Sequence, residues 1–150
     1  GRDKLTGALT TERFYADAQK VLDGTDARIA ILYIDFENFK YINDVFGYEV
    51  GDAILQKYAE VLTSTLREGE LLTRAMADRF AVLRFYEDKE LMLEEQKELD
   101  RRFMDLDVLP DIDNNRMWLL LQGGRHRAVR HQRAYQPGQL CPEDDKEQAG

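Results

Sequence analysis

Apolar residues in this chain gather into short runs and helical stripes, parted by brief polar connections. Thr10 is placed to cap a helix with Glu12 in its first turn. Phe14, Ala18 and Val21 then fall on one helical face, joined by Tyr15 and Leu22, and Gly24 supplies a left-handed stop. Ile29 to Ile34 is an unbroken apolar run, which predicts a strand buried on both faces. Leu55, Tyr58, Leu62 and Leu66 make the core stripe of a helix from about Gly51 to Leu66. Leu71 to Ala75 and Phe80 to Phe85 read as two strands joined by a tight connection, Met76-Ala77-Asp78-Arg79. Glu87 to Leu106 is a charged helix with an inward stripe of Met92, Leu99, Phe103 and Leu106. Asp111 to Asn115 is a polar turn, and Met117 to Leu121 is a further apolar strand stopped by Gly123-Gly124. The order is helix, strand, helix, strand, strand, helix, strand. Hairpin and crossover connections together predict a mixed sheet with helices packed on it.

The stretch from Tyr33 to Asp52 interrupts this plain patterning. The buried strand ends on Asp35, with Glu37 two residues on, followed by a short polar turn carrying Lys40, Asn43 and Asp44. Gly47 breaks the chain direction, and Gly51-Asp52 opens the next helix. Acids at the end of a buried strand, a lysine and a glycine turn before a helix start suit a metal-bound phosphate ligand. Each residue also has a plainer use. Asp35 can simply end its strand at the surface, Asp52 can be a first-turn helix acid, and Asn43-Asp44 can be turn formers.

Composition narrows the field. At 150 residues the chain is one ordinary domain, and 43% hydrophobic content supports a folded core. A net charge of −8 gives no electrostatic case for nucleic acid, though a divalent cation would reverse the local sign for a nucleotide. The single Cys141 excludes an internal disulfide, no cysteine–histidine set has zinc spacing, and cytoplasmic placement is the expectation. No stretch approaches the ~18 apolar residues of a membrane span, so no membrane contact is expected of this domain. The opening at Gly1-Arg2-Asp3 points to a domain cut from a longer protein. After Gly124 the pattern lapses: a basic run from Arg125 to Arg133, a Gln136-Pro137-Gly138 loop and acidic Glu143-Asp144-Asp145 predict an irregular tail. The basic run reads as a phosphate patch or, more plainly, as a solvated terminus.

Taken together, Asp3-x-Leu5-Thr6-Gly7, Asp35-Phe36-Glu37-Asn38-Phe39-Lys40, Ile42-Asn43-Asp44-x-x-Gly47, Gly51-Asp52 and Asp78-x-Phe80-Ala81-Val82-Leu83 resemble the GGDEF domain, the diguanylate cyclase family of bacterial cyclic-di-GMP signalling. The likeness runs from Asp3 to about Phe85 and more loosely to Gly124, while residues 125–150 do not align with it. It implies an α/β (α+β) fold, palm-like and similar to nucleotidyl cyclases, with a central, mostly antiparallel sheet flanked by helices. It also implies a reaction in which two GTP molecules, one per subunit of a dimer, condense into cyclic-di-GMP. The acid matching Asp35 and the carbonyl matching Phe36 would bind Mg2+, with Asp78 as second carboxylate. Residues matching Asn43 and Asp52 would hydrogen-bond guanine, and Lys40 would lie near the phosphates. Magnesium takes oxygen ligands beside substrate phosphates, and a carboxylate can accept from guanine's ring and exocyclic N–H groups.

The signature itself departs from that pattern. Where the family has Gly-Gly-Asp/Glu-Glu-Phe, this chain has Met76-Ala77-Asp78-Arg79-Phe80. Two glycines that permit positive φ in a hairpin are gone, and Arg79 replaces the second acid. A cation then faces the metal and the attacking hydroxyl, at a cost on the order of 4 kcal/mol per pair at ~4 Å and an effective dielectric of about 20. The family's inhibitory Arg-x-x-Asp reads Arg67-Glu68-Gly69-Glu70 here, a remnant in which Glu keeps the charge on a longer arm, so cyclic-di-GMP binding is expected to be weak or absent. The leading expectation is a degenerate GGDEF domain acting as a GTP-binding or dimerising regulatory module, in a homodimer or beside a partner signalling domain such as an EAL-type phosphodiesterase. The alternatives are a working diguanylate cyclase, with Arg79 contacting phosphate, and a structural scaffold without nucleotide affinity.

Overall fold

A computed structural model describes residues 1–36 and 38–104 of the chain. The expectations for Glu37, Leu106, the 111–115 turn, the 117–121 strand and residues 125–150 fall outside the described residues. The elements run α1 (Thr11–Gly24), β1 (Ile29–Asp35), α2 (Phe39–Phe46), α3 (Tyr48–Thr65), β2 (Leu71–Met76), β3 (Arg79–Phe85) and α4 (Lys89–Met104).

The three strands form an antiparallel sheet in the order β1-β3-β2. An isolated parallel bridge joins Leu9 to Thr73 on β2, so the N-terminal turn is tied to the sheet edge. Cross-strand pairing places Ile31 opposite Leu83 and Tyr33 opposite Ala81, with Leu32 opposite Val82 and Ile34 opposite Phe80 between them. Since side chains alternate across a strand, these two sets face opposite ways. One face packs on Phe14, Ala18 and Leu22 of α1. The other carries Ile34, Phe80 and Val82 against Phe39, Ile42, Ile54, Leu55, Tyr58 and Leu62, and against Leu99 and Phe103 of α4. The unbroken run Ile29–Leu32 is thus needed because helices cover both sides. Each such side chain contributes roughly 1.5–3 kcal/mol on burial.

Three expectations are corrected. Lys40, Asn43 and Asp44 lie in α2, not in a polar turn. Phe39, Ile42 and the half-buried Phe46 recur at helical spacing and pin that helix to the core. The following helix begins at Tyr48, so Gly51-Asp52 sits inside it rather than opening it. Gly47, at φ 91°, makes the break between the two helices, as its sequence position indicates. Finally, Met76 and Arg79 belong to their strands, leaving Ala77-Asp78 as the connection.

Tyr58 sits at the centre of an aromatic cluster. Its ring lies 4.9 Å from Phe36, 5.4 Å from Phe80 and 5.0 Å from Phe103, all edge-on. Its hydroxyl donates to Asp100 at 2.7 Å and accepts from Gln96 at 3.4 Å. Burial, first, and then the neighbouring Asp100 carboxylate push the phenol well above its ordinary value, so it stays protonated.

Candidate functional site

The site is built on the end of β1 and the β2–β3 hairpin. Asp35 is the last residue of β1 and stands opposite Arg79, the first of β3. Arg79 Nε lies 3.3 Å from Asp35 Oδ1, with the two side chains 58% and 36% exposed. The guanidinium also approaches Met76 Sδ at 3.9 Å. Asp78 is brought alongside by the backbone: the Phe36 amide donates to the Asp78 carbonyl at 3.2 Å, just past the last strand pair. Asp35, Phe36, Asp78 and Arg79 therefore meet at one end of the sheet.

The hairpin achieves this without glycine. Among the described residues Asn38 is the non-glycine with positive φ, so Met76, Ala77, Asp78 and Arg79 all avoid the left-handed region. Two-residue hairpins normally use turns with positive φ, whose twist matches the strands. Here Arg74 pairs with Phe80 while Met76 pairs with Arg79, leaving Ala75 as an extra residue. That bulge absorbs the mismatch.

Arg74 then fastens the turn. Its Nε donates to the Ala77 carbonyl at 2.8 Å and its Nη1 reaches Asp3 Oδ2 at 3.2 Å. Asp3 in turn accepts from the Thr6 amide at 2.9 Å and the Thr6 hydroxyl at 2.6 Å. Burial acts to raise the Asp3 carboxyl, but the Thr6 bonds and Arg74 outweigh it and hold the group below its ordinary value. This clamp, missed in the sequence, explains how an N-terminal turn bears on the hairpin. Its partners are 71 residues apart, beyond any local pattern.

The second group sits at the α2–α3 joint. Asn43 is half-buried on α2, and its Oδ1 lies against Gly51 so closely that a Cβ there would collide with it. The same Cβ would meet the Phe39 ring at 3.2 Å. Gly51 is what lets the two helices approach, and half-buried Asp52 follows it in α3. Asn43 Oδ1 is buried and has no hydrogen-bond partner among the described residues. Such an orphan acceptor costs about 1–3 kcal/mol. Phe39 links the two groups, since its ring lies 5.7 Å from Phe36. Lys40 is exposed on the first turn of α2.

Arg67 and Glu70 lie elsewhere, by the far end of β3, about 20 Å of strand from Arg79 at ~3.3 Å per residue. Glu70 is buried and fully engaged. Its Oε1 accepts from the Arg67 amide at 2.8 Å and from Arg84 at 3.2 Å, and its Oε2 accepts from the Phe85 amide at 3.0 Å. The carboxylate closes the turn into β2, while the Arg67 side chain is exposed.

A fold of helices on both faces of an antiparallel sheet, with acids at a hairpin end, defines the class. The sequence profile described as diguanylate cyclase, GGDEF domain, matches residues 2–131. The chain belongs to the GGDEF family. The diguanylate cyclase TpbB of Pseudomonas aeruginosa is 43% identical over 84 residues, covering 54% of this chain and 19% of that protein. The cyclic di-GMP phosphodiesterase NbdA of the same species is 32% identical over 84 residues, 54% of this chain and 11% of that one. This chain thus spans less than a third of the curated relatives it matches. The solved GGDEF domain of TpbB superposes with a TM-score of 0.64 at 28% identity, covering 71% of this chain and 63% of that one. The GGDEF domain of DgcB from Caulobacter crescentus, solved with c-di-GMP, superposes at 0.60 with 20% identity and shares the fold, covering 65% of this chain and 53% of that one.

Family membership raises the question of magnesium. The Asp35 and Asp78 carboxylates and the Phe36 carbonyl are the hard oxygen donors that ion prefers. The charge is wrong, however. The Arg79 guanidinium is already ion-paired with the Asp35 carboxylate, so the ligand set as folded holds a competing cation and does not suit a divalent ion. Among the described residues no helix is long and apolar enough to cross a membrane.

Proposed function

We propose that this domain is a GGDEF module that has lost cyclic-di-GMP synthesis and serves as a nucleotide-responsive or dimerising regulator in cyclic-di-GMP signalling. The observation that carries the reading is the Arg79–Asp35 contact at 3.3 Å. It supports the reading because a positive charge stands beside the acid that, by family resemblance, would meet a metal-bound triphosphate. Interactions that oppose the transition state by even ~3 kcal/mol slow a reaction about a hundredfold.

Guanine recognition is retained in the same reading. The orphan amide oxygen of Asn43, against Gly51, supports it, because a guanine N–H donor would satisfy that acceptor after rotation of the side chain. Lys40, exposed on the same helix, suits the phosphates of GTP. Arg67 and Glu70 support a weak or absent product site, since Glu70 is spent on the fold. The likeness to NbdA supports a setting beside a phosphodiesterase domain, with a homodimer as the other arrangement.

A second reading, an active cyclase, is favoured by the exposure of Arg79, whose side chain is free enough to turn toward a phosphate. Incubation with GTP and magnesium, with chromatographic detection of cyclic-di-GMP, separates the two. No product is expected, together with a GTP-dependent rise in Tm. Turnover abolished by Asp35→Ala establishes the active reading. No Tm rise at millimolar GTP leaves the scaffold alone.

A further inference from the structure

We propose that Arg79 is the resident cation of this site: it excludes a divalent ion from Asp35 and Asp78, so a nucleotide bound here is bound without metal. The inference rests on the nucleotide-binding reading for its second half only. Its first half stands on geometry.

Two contacts place the guanidinium beside Asp35. Strand register puts Arg79 directly across from Asp35, on the same face of the sheet. The ion pair at 3.3 Å uses Nε, and Nη1 reaches Met76 Sδ at 3.9 Å. Nη2 remains on a side chain that is 58% exposed, at the end of the sheet where Asp78 turns. The backbone bond from Phe36 to the Asp78 carbonyl holds the hairpin turn against the end of β1, next to the Arg79–Asp35 pair.

A guanidinium and a hydrated divalent ion both neutralise carboxylates, but they differ in reach. Arginine presents a planar fork of N–H donors suited to phosphate oxygens, and it carries its charge permanently. Magnesium needs near-octahedral oxygen ligands and keeps several waters. With Arg79 in place, an arriving Mg2+ meets a positive charge and a carboxylate already ion-paired with it. An arriving polyphosphate meets a cation with spare donors. The same substitution thereby opposes metal and favours the metal-free anion.

Two measurements on the full chain test this. Mn2+ binding by electron paramagnetic resonance, without nucleotide, compares the unaltered protein with Arg79→Ala and Arg79→Glu. Arg79→Glu is expected to bind at least tenfold tighter than the unaltered protein, with Arg79→Ala between them. The exposed position makes both variants compatible with folding. Equal Mn2+ affinity in all three overturns the assignment. Isothermal titration with GTP then compares EDTA with magnesium. The unaltered protein is expected to bind equally well or better in EDTA, and Arg79→Glu to bind only with magnesium. Loss of GTP binding in EDTA by the unaltered protein overturns the metal-free half. Absence of GTP binding under both conditions sinks the nucleotide reading and with it that half, while the Mn2+ comparison still decides the role of Arg79.

Discussion

Strand β3 carries an arginine–carboxylate pair near each end, alike in chemistry and opposite in setting. Arg84 and Glu70, 3.2 Å apart, are 13% and 2% exposed. Arg79 and Asp35, 3.3 Å apart, are 58% and 36% exposed. At the buried end every charge is matched by further bonds: Glu70 takes two backbone amides, and Arg84 also donates to the Thr65 hydroxyl at 2.8 Å. A buried carboxylate cannot be left without donors, so this pair is committed to the fold. At the exposed end water shares the work, and the pair is worth ~0–1 kcal/mol to stability. Burial, not residue type, decides that one pair is a fastening and the other an exchangeable contact. Glu70 is committed to the fold, whereas Arg79 stays on the surface.

The largest expected effect breaks the buried pair. Glu70→Ala removes three acceptor contacts and leaves Arg84 with its Thr65 bonds but no counter-charge, and a loss of about 3–5 kcal/mol is expected from urea unfolding. A loss under ~0.5 kcal/mol would place Glu70 in the exposed class and erase the contrast. Next comes Gly51→Ala, at the joint that carries Asn43. Overpacking costs ~1–3 kcal/mol, and the better helix propensity of alanine returns up to ~1. A net loss near 1 kcal/mol is expected, with Asn43 displaced and GTP affinity lowered about tenfold by titration. Unchanged affinity would detach Asn43 from the nucleotide.

How far these features were legible in the sequence follows from their range. Ile29 to Ile34 announces a doubly covered strand because consecutive apolar residues leave no polar face. The α2 helix was hidden, since the polar residues Lys40, Asn43 and Asp44 drew attention from Phe39, Ile42 and Phe46 at helical spacing. Arg79 was read as a cation standing in place of an acid, but its ion pair with Asp35 needed the register of two strands. Buried Gln96 was missed altogether within the α4 stripe, because its partner Tyr58 reads as plain core. Glu70 matched a motif position, but motif spacing carries no information on burial. The Asp3–Arg74 clamp, part-buried and distant in sequence, lies between the two extremes and had no local signal at all.

That clamp gives a graded test. The folded Asp3 carboxyl lies below its ordinary 3.8, so its contribution is complete above that pH and fades as pH falls through the lower folded value. Asp3→Asn is expected to cost about 1–2 kcal/mol at pH 7, since charge-assisted bonds from Thr6 and Arg74 weaken. The difference from the unaltered protein should narrow steadily below pH 4 in denaturant titrations. A constant gap down to pH 2 would mean that charge plays no part.

The smallest effect belongs to Arg79→Ala. If the exposed pair served stability, its loss would resemble a weaker version of Glu70→Ala. The 58% exposure of Arg79 argues otherwise, because solvent replaces Asp35 as a partner for the cation and hydrates Asp35 in turn. A change within ~0.5 kcal/mol by urea unfolding is expected. A loss above 2 kcal/mol would make the hairpin end as structural as the Glu70 end. With the smaller figure, the arginine is free to exchange a carboxylate for a phosphate, which Arg84 cannot do without taking a charged partner from the buried Glu70.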